Sequence, residues 1–371
     1  MQEFTKKIAI LHDAFLYRGG GERLVTLMAK SLNAELVSGF FSGGSFDPRE
    51  LGFAGKIISL GKPVFAKGIR HIVLFTRFFS QAKILSNYDV VIFSGNCLDA
   101  LRHVRPDAIV YYYCHTPPRY IFDFRERYFG NIPSFLKKIL YYFLDIQASS
   151  YKSKLSRFDL IFTNSQNVHD RLLHYTGYES TILYPPTDVA RFQPSNLPTI
   201  QSSYYLSFAR LSPPKRVDLI VEAFTLMPEK KLIFTYGKND PQKELILKKI
   251  RAYPNIQAIE APEEEELISL IQGAIATIYI PVDEDFGMSP VESMACGTPV
   301  IGVNDGGLRE TIIDDETGLL LPRDITVQDI DNAVQKMTQQ FAHSLQENCV
   351  KRAGEFSLEK FTSNLRNYLS L

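Results

Sequence analysis

The strongest constraint on this chain is a rhythm in which short, continuous apolar runs are each followed by a longer segment with helical spacing. KIAIL (7–11), DVVIF (89–93), DAIVYYY (107–113) and DLIFTNS (159–165) carry it through the first half. YYLSFAR (204–210), KLIFTYG (231–237), NIQAIE (255–260), AIATIYI (274–280) and TPVIGV (298–303) carry it through the second. A sheet with one wet face would alternate apolar and polar residues. Runs without alternation, ended by Gly, Asn or Asp, fit parallel strands covered on both faces. Strands separated by helices make βαβ units, so the expected class is α/β with open, doubly wound, Rossmann-like sheets.

At 371 residues the chain is long enough for about two domains of roughly 100–200 residues. A segment rich in proline and serine, YPPTDVARFQPSNLPTIQSS (184–203), separates the two series of strands and reads as the interdomain linker. The expected division is 1–190 and 191–356, with the helical last segment (357–371) crossing back onto the first domain. Total charge is zero, with 41 basic and 41 acidic residues, which gives no bulk field for nucleic acid. The halves differ, however. Residues 1–190 hold 23 basic and 16 acidic side chains, and the rest hold 18 and 25, for nets of +7 and −7. The first half is therefore the one suited to an anionic partner.

Cys97, Cys114, Cys296 and Cys349 show no metal-like spacing and are too sparse for a disulfide scaffold, so they read as reduced core thiols. The N-terminal MQEFTKKIAILHDAF has too short an apolar run for a signal-peptide core, and no stretch approaches the ~18 apolar residues of a membrane span. EEEE (263–266), after Pro262, reads as a solvated helix start favoured by the helix dipole.

Ligands of doubly wound sheets bind outside the carboxyl ends of the strands, and chemistry collects there in this sequence. DEDFGMSPVESMACGTP (283–299) follows the strand AIATIYI, with Pro290 expected to open a helix and Glu292 on its first turn. Free N–H groups at such a terminus suit anions or sugar hydroxyls, and carboxylates at Glu284 and Glu292 can each grip a diol. In FARLSPPKRVD (208–218), Arg210 ends a strand and Lys215 follows five residues later, a cation pair suited to a diphosphate. After the first strand, Arg18-Gly19-Gly20-Gly21-Glu22-Arg23 lets backbone approach a phosphate at a helix N-terminus. It is not a dinucleotide fingerprint, because the third glycine and the acidic residue after strand two are missing. In YYYCHTPPRYIFD (111–123), His115 closes a strand before an extended Thr-Pro-Pro turn.

With these motifs in hand, the chain resembles the retaining GT-B glycosyltransferases of family GT4. Glu284 and Glu292 meet the E-x7-E motif within EDFGMSPVE, ACGTPVIG follows, and NDGGLRETIIDDETGLLLP (304–322) matches the next family segment. The resemblance implies two Rossmann-like domains facing across a cleft, with a nucleotide sugar as co-substrate and a glycan or lipid-linked glycan as acceptor. It implies Glu284 and the amides of Phe286, Gly287 and Met288 at the donor sugar, and Glu292 at the ribose. Arg210 and Lys215 resemble the family's R-x4-K pair on the diphosphate, aided by Gly20 and Gly21. His115 resembles the histidine near the transferred sugar, and Arg119 is a candidate for acceptor or phosphate.

No DxD pair stands alone in a loop to hold Mg²⁺, since the Asp283-Glu284-Asp285 run is already accounted for by the motif around Glu284, so metal independence and no cofactor are expected. The CHTPPRY version resembles bacterial polysaccharide and O-antigen mannosyltransferases, which points to GDP-mannose. A UDP-sugar donor, a nucleotide-sugar epimerase or hydrolase of the same fold, and a non-catalytic membrane scaffold are the alternatives; an oxidoreductase loses on the failed fingerprint. Residues 62–83 and 135–157 mix cations with aromatics, and either could lie on an anionic membrane surface or pack on the sheet. The expected location is cytoplasmic, peripheral on the inner face of the plasma membrane.

Overall fold

The computed structural model describes residues 6–195 and 203–370, and part of the linker segment read at 184–203 lies outside them. The chain divides into two units, residues Met1–Tyr184 with Thr362–Leu371, and Pro185–Phe361. The division therefore falls earlier than Ala190. The last helix, Leu358–Leu369, runs from the second unit into the first. There Arg366 donates to the Ser31 carbonyl at 2.8 Å and the Tyr368 ring lies 5.7 Å from that of Phe162.

The first unit is built on seven strands: β1 (Ile8–His12), β2 (Glu35–Ser38), β3 (Ile57–Ser59), β4 (Val90–Ser94), β5 (Ile109–Cys114), β6 (Leu160–Thr163) and β7 (Thr181–Ile182). Their order is β3-β2-β1-β4-β5-β6-β7, and every neighbouring pair is parallel. All residues of β1 and β4 are buried, which is why those runs are continuously apolar rather than alternating. Both faces are covered, and Phe93, Tyr112, Tyr88, Phe78 and Leu172 share one core cluster.

The second unit has six strands: β8 (Tyr205–Ser207), β9 (Leu232–Tyr236), β10 (Ile256–Glu260), β11 (Ala276–Ile278), β12 (Val300–Val303) and β13 (Gly318–Leu321). Their order is β10-β9-β8-β11-β12-β13, again parallel throughout. Each unit is thus a Rossmann-like, doubly wound α/β sheet. The acidic run behaves as its sequence suggests, with Glu264, Glu265 and Glu266 in the first turn of the helix Glu264–Gln272. All four cysteines are buried thiols.

Two helices of the first unit are only partly packed. Ser134–Leu155 buries Leu144, Ala148, Tyr151 and Leu155, yet exposes Phe135, Ile139, Tyr142, Phe143 and Ile146. Lys67–Ser80 likewise exposes Ile69, Ile72, Phe75 and Phe79. Among the described residues no helix is long and apolar enough to cross a membrane.

Candidate active site

Two groups of polar side chains gather at strand carboxyl ends, one in each unit. Both sit where the strand order reverses, between β1 and β4 in the first sheet and between β8 and β11 in the second. That reversal opens a crevice in a doubly wound sheet, because the crossovers on either side depart to opposite faces.

In the second unit β8 ends at Ser207, so Arg210 is not a strand terminus but stands exposed in the following loop. Lys215 closes a short 3-10 turn, Pro213–Lys215, and Arg216 then takes a left-handed conformation at φ +52. The Arg216 guanidinium donates to the carbonyls of Ile280 at 2.6 Å, Pro281 at 3.1 Å and Arg323 at 3.2 Å. Val282 N–H donates to the Pro214 carbonyl at 2.8 Å. These bonds tie the turn that carries Lys215 to the segment leaving β11.

Lys215 Nζ donates to Glu284 Oε2 at 2.5 Å and to the Tyr279 hydroxyl at 2.6 Å. Burial first, then the charge and hydrogen bond of Glu284, push the Tyr279 phenol far above its ordinary pKa, so it remains a protonated donor. Glu292 and Arg210 also act on that phenol electrostatically, in opposite senses.

The loop bearing Glu284 is held from below. Asp283, at φ +49, donates its N–H to Asp305 Oδ2 at 2.8 Å, and Gly307 N–H donates to the Glu284 carbonyl at 2.8 Å. Gly306, at φ +59, lies so close that a Cβ there would strike the Glu284 backbone. The next helix runs Met288–Ala295 with Gly287 as its N-cap at φ +92. It begins two residues before Pro290, and Glu292 lies beyond its first turn, both departures from the sequence expectation. Gly287 supplies the left-handed turn into the helix, and proline is tolerated within a first turn because its missing N–H would have had no helical partner. Phe286 is buried with its ring 5.4 Å from Phe356, so its side chain belongs to the core.

In the first unit the register pairs His12 directly with Ser94. His12 Nδ1 lies 3.0 Å from Ser94 Oγ, and that oxygen lies 2.8 Å from Nε2 of His115, which follows β5. His12 Nε2 is 3.3 Å from Asp13 Oδ1. Burial, reinforced by His12 and opposed by Asp13, lowers the His115 pKa to about 4. Gly20 and Gly21 are the first residues of the helix Gly20–Leu32, capped by Gly19. A Cβ on Gly21 would stand 3.6 Å from His115 Cε1, in ordinary van der Waals contact, so the helix start lies against the ring edge. Arg119 forms a two-bond ion pair with Asp123, Nε to Oδ1 at 2.9 Å and a terminal nitrogen to Oδ2 at 2.6 Å.

The structure thus joins Lys215 to Glu284, sets Arg210 and Glu292 in the same electrostatic neighbourhood, and brings Gly21 to His115. Sequence reasoning missed Tyr279, Arg216 and Asp305 in the second unit, and His12, Asp13 and Ser94 in the first. For His12 and Asp13 a signal existed, since both directly follow the run IAIL at a strand end. Among the described residues no cluster of His, Cys, Asp and Glu is arranged to hold a metal ion.

Residues 191–356 match the family Glycosyl transferases group 1. The α-1,3/1,6-mannosyltransferase ALG2 of Dictyostelium discoideum is 25% identical, with 96% of each chain covered. The serotype-specific mannosyltransferase WbdA of Escherichia coli is 25% identical over 63% of this chain and 30% of its own. Among solved structures, sucrose-phosphate synthase from Thermosynechococcus elongatus superposes with a TM-score of 0.76 at 17% identity, covering 98% of both chains.

Proposed function

From the premise that the chain is a GT4-like hexosyltransferase of the GT-B fold, we propose that it moves mannose from GDP-mannose to a glycan or lipid-linked glycan. The proposal includes retention of the anomeric configuration and independence from metal. Its chief support is the Lys215–Glu284–Tyr279 cluster at the β8–β11 reversal. Lys215 and Arg210 bring positive charge to the place where a leaving diphosphate develops negative charge, the task a metal performs elsewhere. Glu284 and the amides after it receive sugar hydroxyls, Glu292 receives the ribose, and Gly20 and Gly21 offer backbone to the phosphates. The mannosyl assignment is supported by the likeness to ALG2 and WbdA.

No side chain need be a nucleophile in this reading. The C1–oxygen bond to the diphosphate breaks while the acceptor oxygen bonds C1 on the same face, and the acceptor proton passes to the departing phosphate oxygen. The protein positions the reactants and stabilises charge. A peripheral position on the inner face of the plasma membrane belongs to the same proposal. It is supported by the exposed apolar residues of Ser134–Leu155 and Lys67–Ser80, set in the half that carries a net +7.

The test is a thermal-shift panel with GDP, UDP, ADP and their sugar conjugates, with and without EDTA, followed by NMR of the product's anomeric signal. A ligand at ~100 times its Kd adds roughly 2.7 kcal/mol. A shift with GDP and GDP-mannose, unchanged by EDTA, is expected. A shift with UDP alone would overturn the donor, and an inverted product would overturn retention.

A further inference from the structure

The four side chains that meet at the β1–β4 reversal lie in a single file: His12, Ser94 and His115 are hydrogen-bonded in turn, and Asp13 Oδ1 stands 3.3 Å from the far nitrogen of His12. His12 and Ser94 end their strands, Asp13 and His115 directly follow theirs, and Ser94 is fully buried. The proposed reaction assigns no work to Asp13, His12 or Ser94. Their geometry nevertheless determines what His115 can do.

The Asp13 charge and the hydrogen-bond capacity of the groups beyond it set the direction of the file. A carboxylate only accepts, and Asp13 already receives the N–H groups of Ala14 at 2.7 Å and Asn96 at 3.3 Å. In the neutral His12 ring a bare Nε2 lone pair 3.3 Å from that carboxylate would be repelled, so the single N–H belongs on Nε2 and Nδ1 keeps the lone pair. The Ser94 hydroxyl, with one hydrogen to give, then donates to His12 Nδ1 and turns a lone pair toward His115. His115 Nε2 must in turn be the protonated nitrogen, and Nδ1 the bare one. Because its pKa is lowered to about 4, the His115 ring is neutral at pH 7 and holds only one N–H.

We infer that Asp13, His12 and Ser94 are positioning residues that hold His115 in the Nε2–H tautomer, so that its free nitrogen Nδ1 can only accept a hydrogen bond. His115 then receives a hydroxyl of the bound sugar and cannot donate to a sugar oxygen or a phosphate. Gly21 lies beside the Cε1 edge of the ring, where an added Cβ would come into van der Waals contact with Cε1 at 3.6 Å. The assignment of a sugar hydroxyl rests on the proposed place of His115 beside the donor; the tautomer itself does not.

The test is a long-range 1H–15N correlation spectrum of the uniformly 15N-labelled full chain at pH 7. The chain has seven histidines, and the His115 signals are assigned by their loss in His115→Gln. Nε2–H at His115 is expected in the wild type, and Nδ1–H there would overturn the inference without recourse to any variant. In Ser94→Ala the tautomer at His115 should become mixed or reversed while the protein stays folded. An unchanged, single Nε2–H tautomer in that variant would overturn the role of the file. In turnover, Ser94→Ala should lower kcat at least tenfold with the donor KM within about threefold, and an unchanged kcat would likewise count against it. Should the protein show no transfer activity at all, the wild-type spectrum still decides the tautomer, so failure of the proposed reaction and failure of this inference remain separable.

Discussion

Lys215 Nζ and Glu284 Oε2 lie 2.5 Å apart, although 69 residues separate them in sequence. The cation is paired with the carboxylate that is proposed to hold the sugar. Under the proposed donor assignment, a bound diphosphate would exchange one anion for another at Lys215 and free Glu284 for hydroxyls, which would couple recognition of the diphosphate to recognition of the sugar.

If Lys215 and Arg210 stabilise the leaving group, Lys215→Ala or Arg210→Ala should each lower turnover by roughly 10²–10³, about 3–4 kcal/mol if each resembles an oxyanion donor. Steady-state kinetics with the donor identified by thermal shift provide the check. Losses below tenfold for both would remove the diphosphate assignment.

The depressed pKa of His115 makes a stability prediction. The folded protein holds the ring neutral down to about pH 4, whereas the unfolded chain protonates it near the ordinary value of about 6.5. Between those values the unfolded state binds more protons, so stability rises with pH and is lost as pH falls through the window, by about 3 kcal/mol in all. Denaturant melts at several pH values should show a shallower dependence for His115→Gln than for the wild type. Parallel curves would contradict the burial of the ring.

Gly306→Ala should destabilise the protein by about 1–3 kcal/mol, because φ +59 strains an alanine and its Cβ would strike the Glu284 backbone. Gly177 is the control, at φ +77 with nothing within 4 Å of its Cβ position, so its alanine variant carries strain alone. Melting temperatures should fall further for Gly306→Ala, and only that variant should also lose turnover.

Anionic vesicles should bind the protein at low salt and release it as ionic strength rises, since the Debye length shrinks to about 3 Å at 1 M. Ile139→Asp with Phe143→Asp should weaken that binding in a sedimentation assay without lowering the melting temperature, since both positions are more than half exposed. Binding that ignores salt, or is unaltered in the double variant, would return the helix Ser134–Leu155 to a purely packing role.

Much of the architecture was legible because strands buried on both faces leave continuous apolar runs. β3, β7 and β13 escaped: IIS, TI and GLLL are two to four residues long, and each lies at a sheet edge, where only one neighbour pairs with it. Lys215 and Glu284 were legible through motif spacing, but their pairing was not, since it depends on β8 and β11 lying side by side. Ser94 was invisible for the same reason, being 82 residues from His12. The start of the helix at Met288 was misjudged because proline signalled it, whereas the left-handed Gly287 set it.

The return of Thr362–Leu371 to the first unit has a consequence for how the protein is made. Leu365 and Leu369 are buried side chains, and they leave the ribosome only after the entire second unit. At about 5–20 residues per second, on the order of ten to thirty seconds pass between emergence of Tyr184 and of Thr362. Through that interval the nascent first unit lacks the helix that completes it, while the later-synthesised unit already has its whole sheet. Order of synthesis and order of completion are therefore reversed, and a nascent chain stalled within this interval would present the surface that this helix covers to chaperones.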